Sequence, residues 1–373
     1  MNIDIVTPSV TTNSGGVGSA LISLYQNVER FSEPGVNITV HSLSDHGEDY
    51  KKIKNTKIQY LTYPSYPPKS IGLSKELIHS LAKSSTNLIH LHGIWMMTSI
   101  APLLAKKIRN TPYIISPHGM MDPWITSKSK IKKHLAMSFY ERSSWKNANI
   151  FHALNKNEYE SIKKLCPSAN IRVIPNGINI PEYEKLNSRI NDVKQILFLG
   201  RLHEKKNLHT LVSAIGNIDD KTYERNPFIL NIVGWGDKKY ENFVKNLSQK
   251  SPNRFNFIGP LYNEEKEVLL KNSDAFILPS FSEGLPMSVL EALSYGVPNL
   301  INKNCNIDNI FKEDVAFNIG TNEEEIQNGI IEFVKLNNSE VEKVRFKSLE
   351  FVKKNYSWEV VAPQYISMYK ELL

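Results

Sequence analysis

The chain has 373 residues, with 45 Lys and Arg against 38 Asp and Glu, and a formal net charge of +7. This length suits two domains better than one, and 41% hydrophobic with 22% charged residues excludes a disordered or fibrous chain. No apolar run exceeds four residues, which predicts no membrane-spanning helix. The N-terminus lacks a secretory pattern and the two cysteines lie far apart, so we expect a cytoplasmic location without a disulfide.

The first half of the chain alternates short β-rich runs with amphipathic helical patterns. The predicted strands are 3–6, 36–40, 57–61, 88–91, 113–116 and 171–174. The predicted helices are 21–31, 73–83, 98–109 and 158–165. This βαβ rhythm indicates a parallel sheet.

A second series of strands follows a polar stretch. Its predicted strands are 196–199, 228–233, 255–258, 275–278 and 297–301. We therefore predict an α/β fold of two tandem Rossmann-like doubly wound domains, 1–180 and 193–356, joined by a linker at 181–192, with a last helix at 357–373 returning to the first domain. Ligands of such sheets bind beyond the carboxyl ends of strands, so a site is expected in those loops and in a cleft between the domains.

The most informative motif is PSFSEGLPMSVLEAL, residues 279–293, which leaves a predicted strand and enters a predicted helix. The backbone N–H groups of Met287 and Ser288 would lie at the helix N-terminus, where a diphosphate is stabilised. Glu283 and Glu291 can each accept hydrogen bonds from two hydroxyls of a sugar or ribose. Taken singly, each glutamate is more simply a solvated surface acid.

Two further motifs follow predicted strands. In LGRLHEKKNL, residues 199–208, Arg201 and Lys206 could converge on a phosphate, or belong to a solvated basic loop. In SGGVGS, residues 14–19, Gly15 and Gly16 could let the backbone approach a ligand, or form a plain turn. The second motif is neither a dinucleotide fingerprint nor a P-loop, so neither a nicotinamide enzyme nor a kinase is supported.

Together with Pro117-His118-Gly119 and Pro175-Asn176-Gly177, these motifs resemble the retaining GT-B glycosyltransferases of family four, of the bacterial cell-surface polysaccharide type. The resemblance covers essentially the whole chain, in the family's order. It implies transfer of a hexose or N-acetylhexosamine from a UDP- or GDP-sugar to a hydroxyl of a lipid-linked saccharide acceptor. It implies no metal and no other cofactor.

The resemblance also implies roles for individual residues by motif match. His118, Arg201, Lys206 and Glu283 would form the catalytic set, with Glu283 on donor-sugar hydroxyls and the two cations on the departing pyrophosphate. The further donor-binding residues would be Gly15, Gly16, Gly234, Leu261, Gly284, Leu285, Pro286, Met287, Ser288 and Glu291. His118 could instead be a histidine that satisfies backbone groups in its turn.

One segment departs from the family pattern. Residues 302–308 read NKNCNID, where the family usually has a glycine-rich segment before an acidic residue. We therefore do not expect glycine-dependent ligand contacts in that loop.

Residues 127–149, called the basic segment below, contain six Lys or Arg and one Glu, and so carry +5 of the net +7. Ile131, Leu135 and Phe139 recur every four residues and form an apolar stripe beside the lysines. This pattern is typical of a helix that docks on anionic headgroups, here at the inner face of the plasma membrane. The alternative is a stripe that packs on its own domain while the lysines are solvated.

Two other function classes fit parts of the sequence. A GT-B-fold sugar-nucleotide epimerase would share the architecture but needs no acceptor, and the paired glutamates favour transfer over it. A nucleic-acid binder would explain the basic charge, but the chain has no aromatic stacking platform and no recognisable reading module. We therefore expect no nucleic-acid partner.

Overall fold

The computed structural model describes residues 1–10, 15–43, 57–127, 130–181 and 193–373. It divides the chain into two compact units. Unit 1 is Met1–Gly177 together with Trp358–Leu373, and unit 2 is Ile178–Ser357. The predicted linker, 181–192, lies almost entirely outside the described residues.

Unit 1 is built on a parallel sheet with the order β3-β2-β1-β4-β5-β6-β7 among the described residues. Its strands are β1 (Asn2–Thr7), β2 (Asn37–Leu43), β3 (Gln59–Tyr63), β4 (Leu88–His92), β5 (Tyr113–Ser116), β6 (Ile150–Ala153) and β7 (Ile171–Val173). Its helices are α1 (Gly15–Phe31), α2 (Lys75–Lys83), α3 (Ile100–Arg109), α4 (Pro123–Thr126), α5 (Lys130–Ala136), α6 (Arg142–Asn147) and α7 (Lys156–Leu165). The strand order reverses between β1 and β4, which is where doubly wound sheets open a crevice.

Unit 2 repeats this plan with a parallel sheet of order β10-β9-β8-β11-β12-β13. Its strands are β8 (Lys194–Leu199), β9 (Phe228–Val233), β10 (Phe255–Gly259), β11 (Ala275–Leu278), β12 (Asn299–Ile301) and β13 (Ala316–Asn318). Its helices are α8 (Leu208–Gly216), α9 (Asp220–Arg225), α10 (Lys238–Lys250), α11 (Asn263–Lys271), α12 (Met287–Ser294), α13 (Glu323–Val334) and α14 (Asn338–Tyr356). The last helix, α15 (Trp358–Lys370), belongs to unit 1.

The predicted fold class, two tandem Rossmann-like sheets, is confirmed. The predicted strands are all present, with ends shifted by up to a few residues. Two strands were not predicted: β6, which is four residues long and contains His152, and β13, a three-residue strand at a sheet edge. Shortness alone does not explain these two misses, because β7 and β12, with three residues each, were predicted.

Helix α15 completes the core of unit 1. Tyr365 and Tyr369 are fully buried and pack in the same hydrophobic cluster as Tyr25 of α1 and Ile5 of β1. The predicted start of this helix, residue 357, differs by one residue from the observed start at Trp358. Unit 1 is therefore built from two distant stretches of the chain.

The basic segment is helical but not a regular α-helix. Between α5 and α6 the chain makes a π turn at Met137–Glu141, which turns Glu141 into the interior. The backbone N–H of Trp95 donates to Glu141 Oε1 at 2.5 Å, and the Ser99 hydroxyl donates to the same oxygen at 3.0 Å. Burial raises the pKa of Glu141 to about 7, against the opposing effect of these two hydrogen bonds.

Gly177 is expected to tolerate no side chain, because a Cβ there would lie 2.4 Å from Cε3 of the buried Trp358 ring. Gly177→Ala should lower the free energy of unfolding by about 1–3 kcal/mol, as measured by urea denaturation. Gly216→Ala is the matched control, since a Cβ at Gly216 meets nothing within 4 Å and helix propensity favours alanine. Equal stability of Gly177→Ala and wild type would contradict the packing at Trp358.

Glu141 should make stability depend on pH. Its folded-state pKa is raised from 4.5 to about 7, so its contribution is complete below pH 4.5 and is lost as the pH rises through 7. Relative to Glu141→Gln, the wild type should lose up to about 3 kcal/mol of unfolding free energy across this window. Urea denaturation at several pH values measures this difference. The exposed Glu160→Gln is the control, and parallel wild-type and Glu141→Gln profiles would refute the expectation.

Candidate functional site

Two of the sequence motifs meet at the point where the strand order of unit 2 reverses. Strand β8 runs into Gly200 and Arg201, and its neighbour β11 runs into the loop at 279–286. The backbone N–H of Phe281 in the second loop donates to the Lys205 carbonyl in the first, at 2.9 Å. The two loops therefore form one surface at the carboxyl edge of the sheet.

An ion pair joins the two motifs. Lys206 Nζ lies 2.7 Å from Glu283 Oε1, and their side chains are only 15% and 10% exposed. Burial alone would raise the pKa of Glu283, but the charges of Lys206 and Lys205 lower it below its ordinary value. Glu283 is thus held as a carboxylate, which only accepts hydrogen bonds.

The asparagine-rich segment that departs from the family pattern holds this loop in place. The backbone N–H of Glu283 donates to the Asn304 carbonyl at 3.0 Å, and the Asn306 amide donates to the Glu283 carbonyl at 2.6 Å. Asn302 donates to the Ser280 carbonyl at 3.0 Å. Two of these three hydrogen bonds come from side-chain amides, which glycines could not supply.

Arg201 and Lys206 have different partners in the structure. Arg201 is exposed, and its guanidinium carbon lies over the Trp235 ring, 5.5 Å from the ring centre. Lys206 is instead paired with Glu283. The expected cation pair is therefore divided between an aromatic face and a carboxylate.

Helix α12 starts as the motif predicts. Pro286 is its N-cap residue, and the N–H of Val289 donates to the Pro286 carbonyl at 3.0 Å. The N–H groups of Met287 and Ser288 consequently have no acceptor within the helix. Gly284 and Leu285 complete the loop before it, with Leu285 buried.

The second glutamate of the motif also has a lysine partner. Lys266 of α11 places Nζ 2.9 Å from Oε1 of Glu291 on α12, with the side chains 29% and 23% exposed. Lys266 was not predicted, because it lies 25 positions from Glu291 and in no motif. Only the tertiary fold brings the two side chains together.

Gly234 and Leu261 lie in the neighbouring loops. Gly234 has φ +146°, and a Cβ there would lie 1.9 Å from the Gly200 carbonyl oxygen, so only glycine fits. Its N–H donates to the Gly259 carbonyl at 3.0 Å, two residues before the partly buried Leu261. These contacts join the loops after β8, β9 and β10 into one continuous edge.

In unit 1, His118 follows β5 and contacts a histidine that no motif predicted. His118 Nε2 lies 2.7 Å from Nδ1 of His92, the last residue of β4. Burial lowers the pKa of His118 to about 3, with a smaller effect from His152, so the ring is neutral at neutral pH. The Gly119 N–H donates to the buried carboxylate of Glu158 at 2.6 Å, which fixes the turn.

His92 belongs to a larger buried group that the sequence analysis missed. His90, His92, Ser116 and His152 are each at most 1% exposed and lie on three adjacent strands, β4, β5 and β6. A signal was available, since two histidines alternate on the buried run LIHLH and must face the same side of the sheet. Despite these histidines, no group of three His, Cys, Asp or Glu among the described residues could hold a metal ion.

Gly15 and Gly16 require a correction. Both lie in the first turn of α1, which begins at Gly15, whereas the sequence predicts a loop there and a helix from residue 21. Glycine is a poor helix former, and its low propensity concealed the start of the helix. The two residues are helical backbone next to the undescribed stretch 11–14.

Two family models match consecutive parts of the chain. Residues 14–181 match the model described as Glycosyltransferase Family 4, and residues 179–346 match the model described as Glycosyl transferases group 1. The two matches meet where the structure divides the chain into its two units.

Individual proteins agree with these models. Protein CapJ of Staphylococcus aureus is 29% identical over 283 residues, covering 72% of this chain and 70% of CapJ. The Escherichia coli UDP-Gal:alpha-D-GlcNAc-diphosphoundecaprenol alpha-1,3-galactosyltransferase is 29% identical over 253 residues, 62% of each chain. The crystal structure of Anabaena HepE in complex with UDP and glucose matches all of both chains with a TM-score of 0.75 at 16% identity, which shows a shared fold. The chain is therefore a glycosyltransferase with the GT-B fold, and its two consecutive parts match the Family 4 model and the group 1 model.

Proposed function

We propose that this protein is a retaining, metal-independent hexosyltransferase that moves a hexose or N-acetylhexosamine from a nucleotide-diphospho-sugar to a lipid-linked saccharide in cell-surface polysaccharide assembly. The observation that carries the proposal is the Lys206–Glu283 ion pair at the switch point of unit 2. The names of the E. coli relative and of the HepE complex support a UDP-sugar donor and a diphosphoundecaprenol-linked acceptor. The comparisons give no support to the epimerase alternative.

The charges suit the departure of a diphosphate. In transfer from a nucleotide sugar, negative charge grows on the leaving group, so cations and unpaired N–H groups aimed at it give the largest stabilisation. Lys206 and Arg201, with the N–H groups of Met287 and Ser288 at the start of α12, would supply them. Glu283, kept ionised by its lysine neighbours, would accept hydrogen bonds from donor-sugar hydroxyls.

The pair at Glu291 suits the nucleoside. Its carboxylate can accept both ribose hydroxyls, and Lys266 holds it in one position. The loops at Gly234 and Leu261 would offer backbone groups to the base and ribose. We assign His118 to a sugar oxygen, and Gly15 and Gly16 to the phosphate and acceptor side, on the family resemblance.

A panel of UDP-, GDP- and ADP-sugars scored by thermal shift identifies the donor. We expect a UDP- or GDP-sugar to stabilise the protein, and NMR of the product formed with that donor to show the donor's anomeric configuration. Stabilisation by none of the three series, or an inverted product, would overturn the proposal.

Removing the cation of the ion pair should abolish most of the transfer. Lys206→Ala is expected to reduce kcat about 100-fold, the usual cost of one group that stabilises the leaving charge. The exposed Lys239→Ala, on the nearby α10, is the matched control and should keep wild-type turnover. Melting temperatures of both variants separate lost catalysis from lost folding. Near-wild-type turnover in Lys206→Ala would contradict the role of the pair.

We also propose that the basic segment docks on anionic lipid at the inner face of the plasma membrane. Ile131, Leu135 and Phe139 are 79%, 50% and 80% exposed, so the alternative in which the stripe packs on its own domain is wrong. Lys132, Arg142 and Lys146 are exposed in the same segment, whereas Lys133 turns inward to the Ile125 carbonyl and the Trp95 ring. Among the described residues, no helix is long and apolar enough to cross a membrane.

Docking predicts binding to phosphatidylglycerol vesicles that weakens with salt. Ile131→Ser/Phe139→Ser should weaken binding strongly, because each apolar side chain contributes about 1.5–3 kcal/mol when buried in lipid. Phe346→Ser is the matched control, since Phe346 is 63% exposed but lies in unit 2. Co-sedimentation measures the bound fraction. Equal recovery of the wild type with neutral and anionic vesicles, at low and high salt, would rule out electrostatic docking.

A further inference from the structure

A continuous chain of hydrogen bonds runs through the core of unit 1 and ends at His118. In order from the interior, its members are the Ile174 carbonyl, His152, Ser116, His90, Tyr25, His92 and His118, with Tyr369 of α15 as a branch at His90. The side chains from His152 to His92 are at most 1% exposed, as is Tyr369. Burial lowers the pKa of each of the four histidines, so all of them are neutral at neutral pH.

The inner end of the chain fixes the direction of the first hydrogen bonds. The Ile174 carbonyl can only accept, so His152 Nε2, at 2.7 Å, carries a proton and His152 Nδ1 is bare. The Ser116 hydroxyl therefore donates to His152 Nδ1, at 2.6 Å. It must then accept from His90 Nε2, at 2.7 Å, which leaves a single bare lone pair on His90 Nδ1.

Two tyrosine hydroxyls compete for that lone pair. Tyr25 Oη and Tyr369 Oη each lie 2.9 Å from His90 Nδ1. The competition is decided by their other acceptors. Tyr25 has His92 Nε2 at 2.5 Å, whereas Tyr369 has only Tyr25 Oη at 3.4 Å, which is beyond a good O–H···O distance.

The remaining protons follow from this choice. With Tyr369 donating to His90, the Tyr25 hydroxyl donates to His92 Nε2, so the proton of His92 is on Nδ1. His92 Nδ1 then donates to His118 Nε2, at 2.7 Å, and the proton of His118 is on Nδ1. In the described part of the chain that nitrogen has no hydrogen-bond partner of its own.

We propose that Tyr369, acting through Tyr25 and His92, is a positioning residue that holds His118 as a hydrogen-bond donor. The outer Nδ1–H of His118 then donates a hydrogen bond to an oxygen of the bound donor sugar or of its phosphate. His118 therefore does not take up the proton that the hydroxyl of the saccharide acceptor loses during transfer. This inference rests on the proposed function, because the bound sugar nucleotide is what gives the outer nitrogen a partner.

Removing the hydroxyl of Tyr369 reverses the donor and acceptor roles in the outer hydrogen bonds. In Tyr369→Phe the lone pair of His90 is satisfied only if Tyr25 turns to it. His92 Nε2 must then donate to Tyr25, and His118 Nε2 to His92, which leaves His118 Nδ1 bare. One oxygen atom in α15 thereby changes His118 from a donor to an acceptor.

The test is the tautomer of each histidine, read from nitrogen-15 chemical shifts of the histidine-labelled full-length protein without ligand. We expect the proton on Nδ1 in His118 and His92 and on Nε2 in His90 and His152. The wild-type spectrum alone is decisive, since any other pattern overturns the proposal whether or not a variant folds. The measurement needs no substrate, so its failure is distinct from failure of the proposed function.

Variants extend the test. In Tyr369→Phe the His118 and His92 protons should move to Nε2, and kcat/KM with the donor found by thermal shift should fall at least about five-fold, the worth of one hydrogen bond. Tyr365→Phe is the matched control, because Tyr365 lies on the same face of the same helix and its hydroxyl has no hydrogen-bond partner among the described residues. Unchanged tautomers in Tyr369→Phe, or the same change in Tyr365→Phe, would overturn the proposal.

Discussion

The parallel direction of the strands is the constraint on which the rest of the structure depends. Because every strand in a sheet points the same way, all loops that follow strands lie at one edge, and the reversal of strand order separates two of them. In unit 2 these two loops carry Lys206 and Glu283, which meet at 2.7 Å although 77 positions separate them. In unit 1 the ends of β4, β5 and β6 bring together His92, Ser116 and His152 by the same geometry.

The two units treat polar groups in opposite ways. Unit 2 keeps its lysine–glutamate pairs between 10% and 29% exposed, where desolvation costs less and the lysines remain accessible to an anionic ligand. Unit 1 places neutral histidines and tyrosines in a buried interior, where a hydrogen bond to a neighbouring side chain offsets the cost of burying a polar atom. A charged, partly exposed sheet edge suits a diphosphate. A series of neutral hydrogen-bonding groups with fixed donor and acceptor roles suits sugar oxygens.

The sheets could be predicted from sequence because parallel strands are buried on both faces and give apolar runs bounded by turns. The loop residues Glu283 and Lys206 were predicted because they follow such strands within motifs. Lys266 and Tyr369 could not be predicted, since they lie in no motif and reach their partners only through the tertiary fold, with Tyr369 279 positions from His90. The start of α1 was misplaced because glycine has a low helix propensity and no side chain that could contribute to an amphipathic pattern.

The place of α15 in unit 1 has a consequence for how the chain folds. The buried side chains of this helix fill the core beside α1 and β1, yet it is synthesised after all of unit 2. The core of unit 1 therefore cannot be completed, and one of its apolar faces stays uncovered, until the ribosome has made the whole of unit 2. Tyr369 is the last member of the hydrogen-bonded group to be synthesised. A chain that stops before α15 would therefore lack both one side of the unit 1 core and the hydroxyl that orients His118.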